Sequence, residues 1–79
     1  MLNINKNLYF LRISNKKNKS FNQKDISEVS RIPQTHISRI ENGREFARLN
    51  DVIFYSRFFD VSIDDIVYKE YNPKTKEFE

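Results

Sequence analysis

Gln34, Thr35, Ser38 and Arg39 fall on one side of a short amphipathic stretch, and all four are hydrogen-bonding groups rather than the Glu/Lys mixture of a solvated face. Such groups can read base edges. A glutamine amide pairs bidentately with adenine and an arginine fork with guanine, each worth about 1–3 kcal/mol of discrimination. Little else in the chain could do chemistry. With one histidine, one glycine and no cysteine, it offers no nucleophile–base–orienter set, no thiolate metal site and no glycine-rich phosphate loop. Asp64 and Asp65 are adjacent acids, but at a helix start such acids complement the dipole rather than hold a metal. No enzyme activity, metal, cofactor or small-molecule site is expected.

The elements that must position the four residues lie in Asn22–Arg44, NQKDISEVSRIPQTHISRIENGR. A helical period predicts one short amphipathic helix carrying Ile26 and Val29, a tight turn with Ile32 plugging the angle, and a second helix carrying Ile37 and Ile40. Asn22 is a good N-cap with Asp25 at N3, Pro33 suits an early position of the next helix, and Asn42-Gly43 is a left-handed stop. Around this pair, further helices are predicted at about 6–15 (capped by Asn5, with Leu8, Leu11 and Phe10 inward), 50–59 (Val52, Tyr55, Phe59) and 62–68 (Ile66, Val67). The predicted organisation is therefore an N-terminal arm or short strand over 1–5, a five-helix all-α domain over 6–68, and a tail over 69–79. The turn signal Asn72-Pro73 allows that tail to be a hairpin, a strand paired with the N-terminal segment, or frayed.

Seventy-nine residues give one domain with a marginal core, and without cysteine the remaining supports are tight helix packing and oligomerisation, so a dimer is expected. Seven Phe and four Tyr supply large buried area per residue. Phe54, Phe58, Tyr68, Tyr71 and Phe78 exceed what a five-helix core needs. They either complete that core or, Phe54, Phe58, Tyr68 and Tyr71 above all, form a twofold interface. Charge is uneven: residues 1–48 hold ten Lys/Arg against four Asp/Glu, and residues 49–79 hold four against seven. The basic half contains the two-helix unit, where a phosphate backbone would lie. Lys19, in the polar loop SNKKNKS, and Lys24 are candidate backbone contacts, with a solvated surface as the other reading. His36 is either a pH switch or DNA contact (base or backbone), or a half-exposed helix histidine. No apolar run approaches a membrane span, and MLNINKN lacks a signal-peptide layout, so a cytoplasmic protein is expected.

These residues resemble the Cro/C1-type helix–turn–helix family of bacterial and phage repressors, often called the Xre family. The resemblance covers about residues 7–67. It is carried by Asn7-Leu8, Leu11-Arg12, Phe21-Asn22-Gln23, Ile26-Ser27-Glu28, the string from Ile37 to Gly43 (ISRIENG), and Val61 to Ile66 (VSIDDI). It implies that Gln23 grips a phosphate, that Gln34, Thr35 and Ser38 touch base edges, and that Arg39 reaches a base or phosphate. It further implies that backbone N–H groups at Asn42, Gly43 and Arg44 meet sugar–phosphate beside Arg48. Arg12 and Glu41 resemble an interior ion pair that holds the recognition helix.

The chain departs from the family in four ways. It has about four extra residues between Arg12 and Gln23, so the first helix is longer or the loop larger. Ser27 stands for a small apolar residue, Arg31 for the turn glycine, and Pro33 for a Ser/Thr N-cap. The function implied is a homodimeric, sequence-specific regulator of double-stranded DNA, most simply a repressor, inserting about Pro33–Glu41 into the major groove of a near-palindromic operator. The same fold could instead serve as an antitoxin or antirepressor that masks a protein partner, or as a restriction–modification controller.

Overall fold

The computed structural model describes residues 3–79. Five helices are followed by a two-stranded hairpin: α1 (Ile4–Ile13), α2 (Gln23–Ser30), α3 (Gln34–Glu41), α4 (Leu49–Phe59), α5 (Ile63–Tyr68), β1 (Tyr71–Asn72) and β2 (Glu77–Phe78). The apolar stripe of each element meets in one core: Leu8 and Leu11 from α1, Ile26 from α2, Ile37 and Ile40 from α3, Val52, Tyr55 and Phe59 from α4, Ile66 from α5, and Tyr71 from β1. Ile32 packs against that core from the α2–α3 turn, whereas Val29 is exposed and belongs to the outer face of α2.

Local chemistry sets the helix limits. Asn22 accepts from the Asp25 N–H at 2.7 Å and Asp25 accepts from the Asn22 N–H at 3.1 Å, a reciprocal capping box. Ser62 caps α5 through the Asp65 N–H at 3.0 Å. α3 ends in a Schellman turn. Gly43, at φ 72°, donates to the Ile40 carbonyl at 3.1 Å, and Arg44 donates to the Arg39 carbonyl at 2.8 Å.

Several sequence expectations are corrected. Ile4 and Asn5 belong to α1, so no strand forms there, and Met1 and Leu2 lie outside the described residues. Asn5 is not a cap. Its side chain donates to the Glu45 carbonyl at 2.7 Å and accepts from the Ala47 N–H at 3.1 Å, tying α1 to the loop after α3. The extra residues before Gln23 enlarge the loop rather than the helix. That loop is ordered by buried Asn15, which donates to the Leu11 and Lys19 carbonyls at 2.9 and 2.7 Å and accepts from the Lys17 N–H at 3.0 Å.

The tail is a hairpin with Tyr71 opposite Phe78 and Asn72 opposite Glu77. Tyr71 is a core residue, which corrects its candidacy for a subunit interface. It is 3 % exposed, its hydroxyl donates to the Ser14 carbonyl at 2.7 Å, and its N–H donates to Asn7 at 2.9 Å. Asn7 is fully buried and also donates to the Ile66 and Lys69 carbonyls, so one amide joins α1, α5 and β1.

Candidate nucleic-acid interface

At 100° per residue, Gln34, Ser38, Asn42, Thr35 and Arg39 span an arc of about 140° around α3, and Ile37 and Ile40 lie on the opposite side. The structure places them accordingly. Gln34, Thr35, Arg39 and Asn42 are exposed and Ser38 is half-buried, while Ile37 and Ile40 are sealed in the core. Ser38 accepts a long bond from the Asn42 amide at 3.3 Å, which leaves its hydroxyl hydrogen free to donate outward.

The scaffold under this face is an ion pair. Arg12 donates from Nε and Nη2 to the two oxygens of Glu41, each at 2.7 Å, and from Nη1 to the Phe21 carbonyl at 2.8 Å. The Glu41 bond, ahead of the opposing cost of burial, raises the Arg12 pKa, so the guanidinium is permanently charged. Gln23 joins the pair, donating its amide to Glu41 at 3.0 Å. One amide hydrogen is thereby used within the protein and the second stays available to an external acceptor. The Tyr55 phenol is pushed well above its ordinary range by burial first and by the Glu41 charge second, so it is neutral in this setting.

The turn from α2 to α3 takes the left-handed conformation despite lacking glycine. Arg31 sits at φ 63°. Two serines stitch it: Ser27 donates to the Ile32 carbonyl at 2.6 Å, and the Ile32 N–H donates to Ser30 at 3.0 Å. Pro33 occupies the N-cap position of α3 rather than its first helical position, and it supplies no side-chain cap.

Hydrogen bonding within the protein engages two sets of candidate groups. The N–H groups of Asn42, Gly43 and Arg44 are all spent on carbonyls of α3, at 3.0, 3.1 and 2.8 Å. The side chains of Asn42 and Arg44 are exposed, and Gly43 makes the turn. His36, a candidate base or backbone contact, has both ring nitrogens turned to carboxylates of the protein. It is buried, with Nδ1 2.7 Å from Glu45 and Nε2 2.8 Å from Asp51.

The remaining basic candidates, Lys19, Lys24, Arg44 and Arg48, are exposed. Lys19 lies 5.1 Å over the Phe21 ring at the entry to α2. Of the interface candidates, Phe54 and Phe58 are half-buried and stacked at 5.2 Å, lining with Ile53, Asn50 and Arg57 an open apolar depression on α4. Tyr68 is exposed.

Sequence reasoning missed Glu45, which accepts from Arg39 at 3.1 Å, and the exposed apolar pair Phe46 and Leu49. Helical periodicity stops at Glu41, so nothing in it signals that the Schellman turn brings Glu45 back beside Arg39.

A family model described as helix-turn-helix (HTH_3) matches residues 15–66, most of the chain and all of α2 to α4. The chain belongs to the Cro/C1-type helix–turn–helix family. No curated protein and no solved structure matches it. As a member of this family it is a DNA-binding regulator, and α2, the turn and α3 form the helix–turn–helix unit. Among the described residues no helix is long and apolar enough to cross a membrane.

Proposed function

We propose that the protein is a cytoplasmic, sequence-specific repressor that binds a near-palindromic operator as a homodimer, with α3 in the major groove. The observation that carries this reading is the outward arc of Gln34, Thr35, Ser38 and Arg39 on a helix whose inner face is fixed by Ile37, Ile40 and the Arg12–Glu41 pair. Gln34, Thr35, Ser38 and Arg39 then address base edges. Lys19, Lys24, Arg44, Arg48, Asn42 and the free amide hydrogen of Gln23 address phosphates. Pairing of copies through the outer face of α4, around Ile53, Phe54 and Phe58, and through Tyr68 would set two recognition helices about 34 Å apart.

The test compares wild type and Gln34→Ala on a duplex enriched from a random pool and on unselected DNA. Gln34→Ala is expected to lose about 1–3 kcal/mol of preference for the enriched duplex with little change on unselected DNA. An intact preference removes Gln34 from the reading set. Alanine at Lys19, Lys24, Arg44 or Arg48 should weaken both duplexes alike and reduce the salt slope by about 0.9 for each phosphate that is no longer neutralised. An unchanged slope returns that residue to the solvated surface.

A second reading, in which the fold masks a protein partner, is favoured by one observation: Phe46, in the loop before α4, is 92 % exposed and Leu49, the first residue of α4, 69 % exposed. Sedimentation separates the two. A stable homodimer that shifts DNA supports the repressor, and a monomer without DNA affinity at low salt supports the masking protein.

A further inference from the structure

Resting on the reading of α3 as the recognition helix, we propose that Glu45 is a specificity-positioning residue: anchored by His36, its carboxylate fixes the Arg39 guanidinium for recognition of one base. Glu45 follows the helix–turn–helix unit and carries the wrong charge for a DNA-facing surface, since an acid at that edge repels phosphate. Yet both of its carboxylate oxygens and its main chain are engaged within the protein. Its Oε1 accepts from Arg39 Nη1 at 3.1 Å, its Oε2 lies 2.7 Å from His36 Nδ1, and its backbone carbonyl accepts from Asn5 at 2.7 Å. His36 is held in turn by Asp51, whose Oδ2 lies 2.8 Å from Nε2 and also takes the Arg48 N–H at 2.8 Å where α4 begins. A carboxylate oxygen faces each ring nitrogen, so the ring bridges Glu45 to Asp51.

The result is a chain of hydrogen-bonding contacts, Asp51, His36, Glu45 and Arg39, running from the buried start of α4 to the exposed edge of α3. A solvated surface acid would not be anchored by a buried histidine. Arginine is the residue whose base reading gains most from such an anchor. Its side chain has large rotamer freedom, and bidentate recognition requires the guanidinium in one plane. With one N–H turned to Glu45, the others stay available to a base edge.

The experiment uses the full chain and a duplex enriched from a random pool, together with every single-position variant of that duplex. Four proteins are titrated: wild type, Arg39→Ala, Glu45→Gln, and the double variant. Arg39→Ala is expected to flatten the preference at one position. Glu45→Gln, of equal shape but uncharged, should lower discrimination at that same position about tenfold while binding unselected DNA no more weakly than wild type. In the double variant Glu45→Gln should add nothing, because its effect passes through Arg39.

Full preference retained in Glu45→Gln overturns the proposal, and so does a loss that adds to that of Arg39→Ala. An unchanged profile in Arg39→Ala also overturns it, while leaving α3 as a reader through Gln34. Failure to enrich any duplex defeats the recognition-helix reading itself. A second readout is the NMR signal of the Arg39 guanidinium without DNA: restricted rotation in wild type and free rotation in Glu45→Gln support the proposal, and equal rotation in both overturns it.

Discussion

Replacing Glu41 by Gln should be among the most damaging conservative changes in this protein. The side chains of Arg12 and Glu41 are 11 % and 7 % exposed, and the carboxylate takes two bonds from the guanidinium at 2.7 Å and one from Gln23 at 3.0 Å. Glutamine keeps the shape but removes the charge, and it turns an amide N–H₂ toward a donor. Arg12 remains charged, because nothing in the fold can take its proton. Removing one partner of a buried pair costs about 3–5 kcal/mol. A domain of this length has roughly 4–12 kcal/mol in all, so the variant should be near the edge of folding.

Urea titration followed by far-UV circular dichroism measures the loss as a lower midpoint at constant slope. Replacing both charges together, Arg12→Met with Glu41→Leu, should recover much of it, since no unpaired charge is left buried. Recovery will be incomplete, because the Phe21 carbonyl loses its donor and Gln23 its acceptor. A loss under about 1 kcal/mol for Glu41→Gln would refute the reasoning. So would a double variant as unstable as the sum of its single changes.

Asn7→Ala strands the Tyr71 N–H and the Ile66 and Lys69 carbonyls in a buried site. It should cost about 3 kcal/mol and lower Tm by roughly 12–24 °C, and a drop of only a few degrees would show that water replaces the amide. Arg31→Gly relieves a left-handed residue at φ 63° and should gain about 1 kcal/mol, raising Tm by about 4–8 °C; an unchanged Tm would mean the turn carries no strain. Glu45 has its pKa held below the ordinary 4.5 by the His36 hydrogen bond first and Arg39 second. A lowered carboxylate pKa contributes stability above the ordinary value and loses it as pH falls through the folded one. The urea midpoints of wild type and Glu45→Gln should therefore converge in acid, below the lowered value, and a constant gap would refute the linkage.

The helix–turn–helix unit was legible because its signals are local and agree. Asn22 with Asp25 starts α2, the Ile37 and Ile40 spacing fixes the inner face of α3, and Asn42-Gly43 stops it. Arg31 could be read as the left-handed turn residue because it stands where glycine is usual. What escaped is long-range bonding by polar residues with no periodic signature. Asn5 resembles a helix cap until its partners prove to lie at Glu45 and Ala47, and Asn7 and Asn15 bond main chain that only the folded state brings near. Tyr71 looked surplus because nothing local shows that the hairpin folds it back onto α1. His36 sits on α3 between the reading face and the core face, where periodicity alone cannot decide its side. Two carboxylates, buried Asp51 and half-exposed Glu45, decide it.

Whether α3 reads the major groove is decided by selecting bound duplexes from a random DNA pool with the full chain. The expected outcome is a near-palindromic site with half-sites about 10–10.5 base pairs apart, and with positions whose preference disappears in Gln34→Ala and Arg39→Ala. A pool that stays random, or a protein that fails to retain DNA even at low salt, would contradict it.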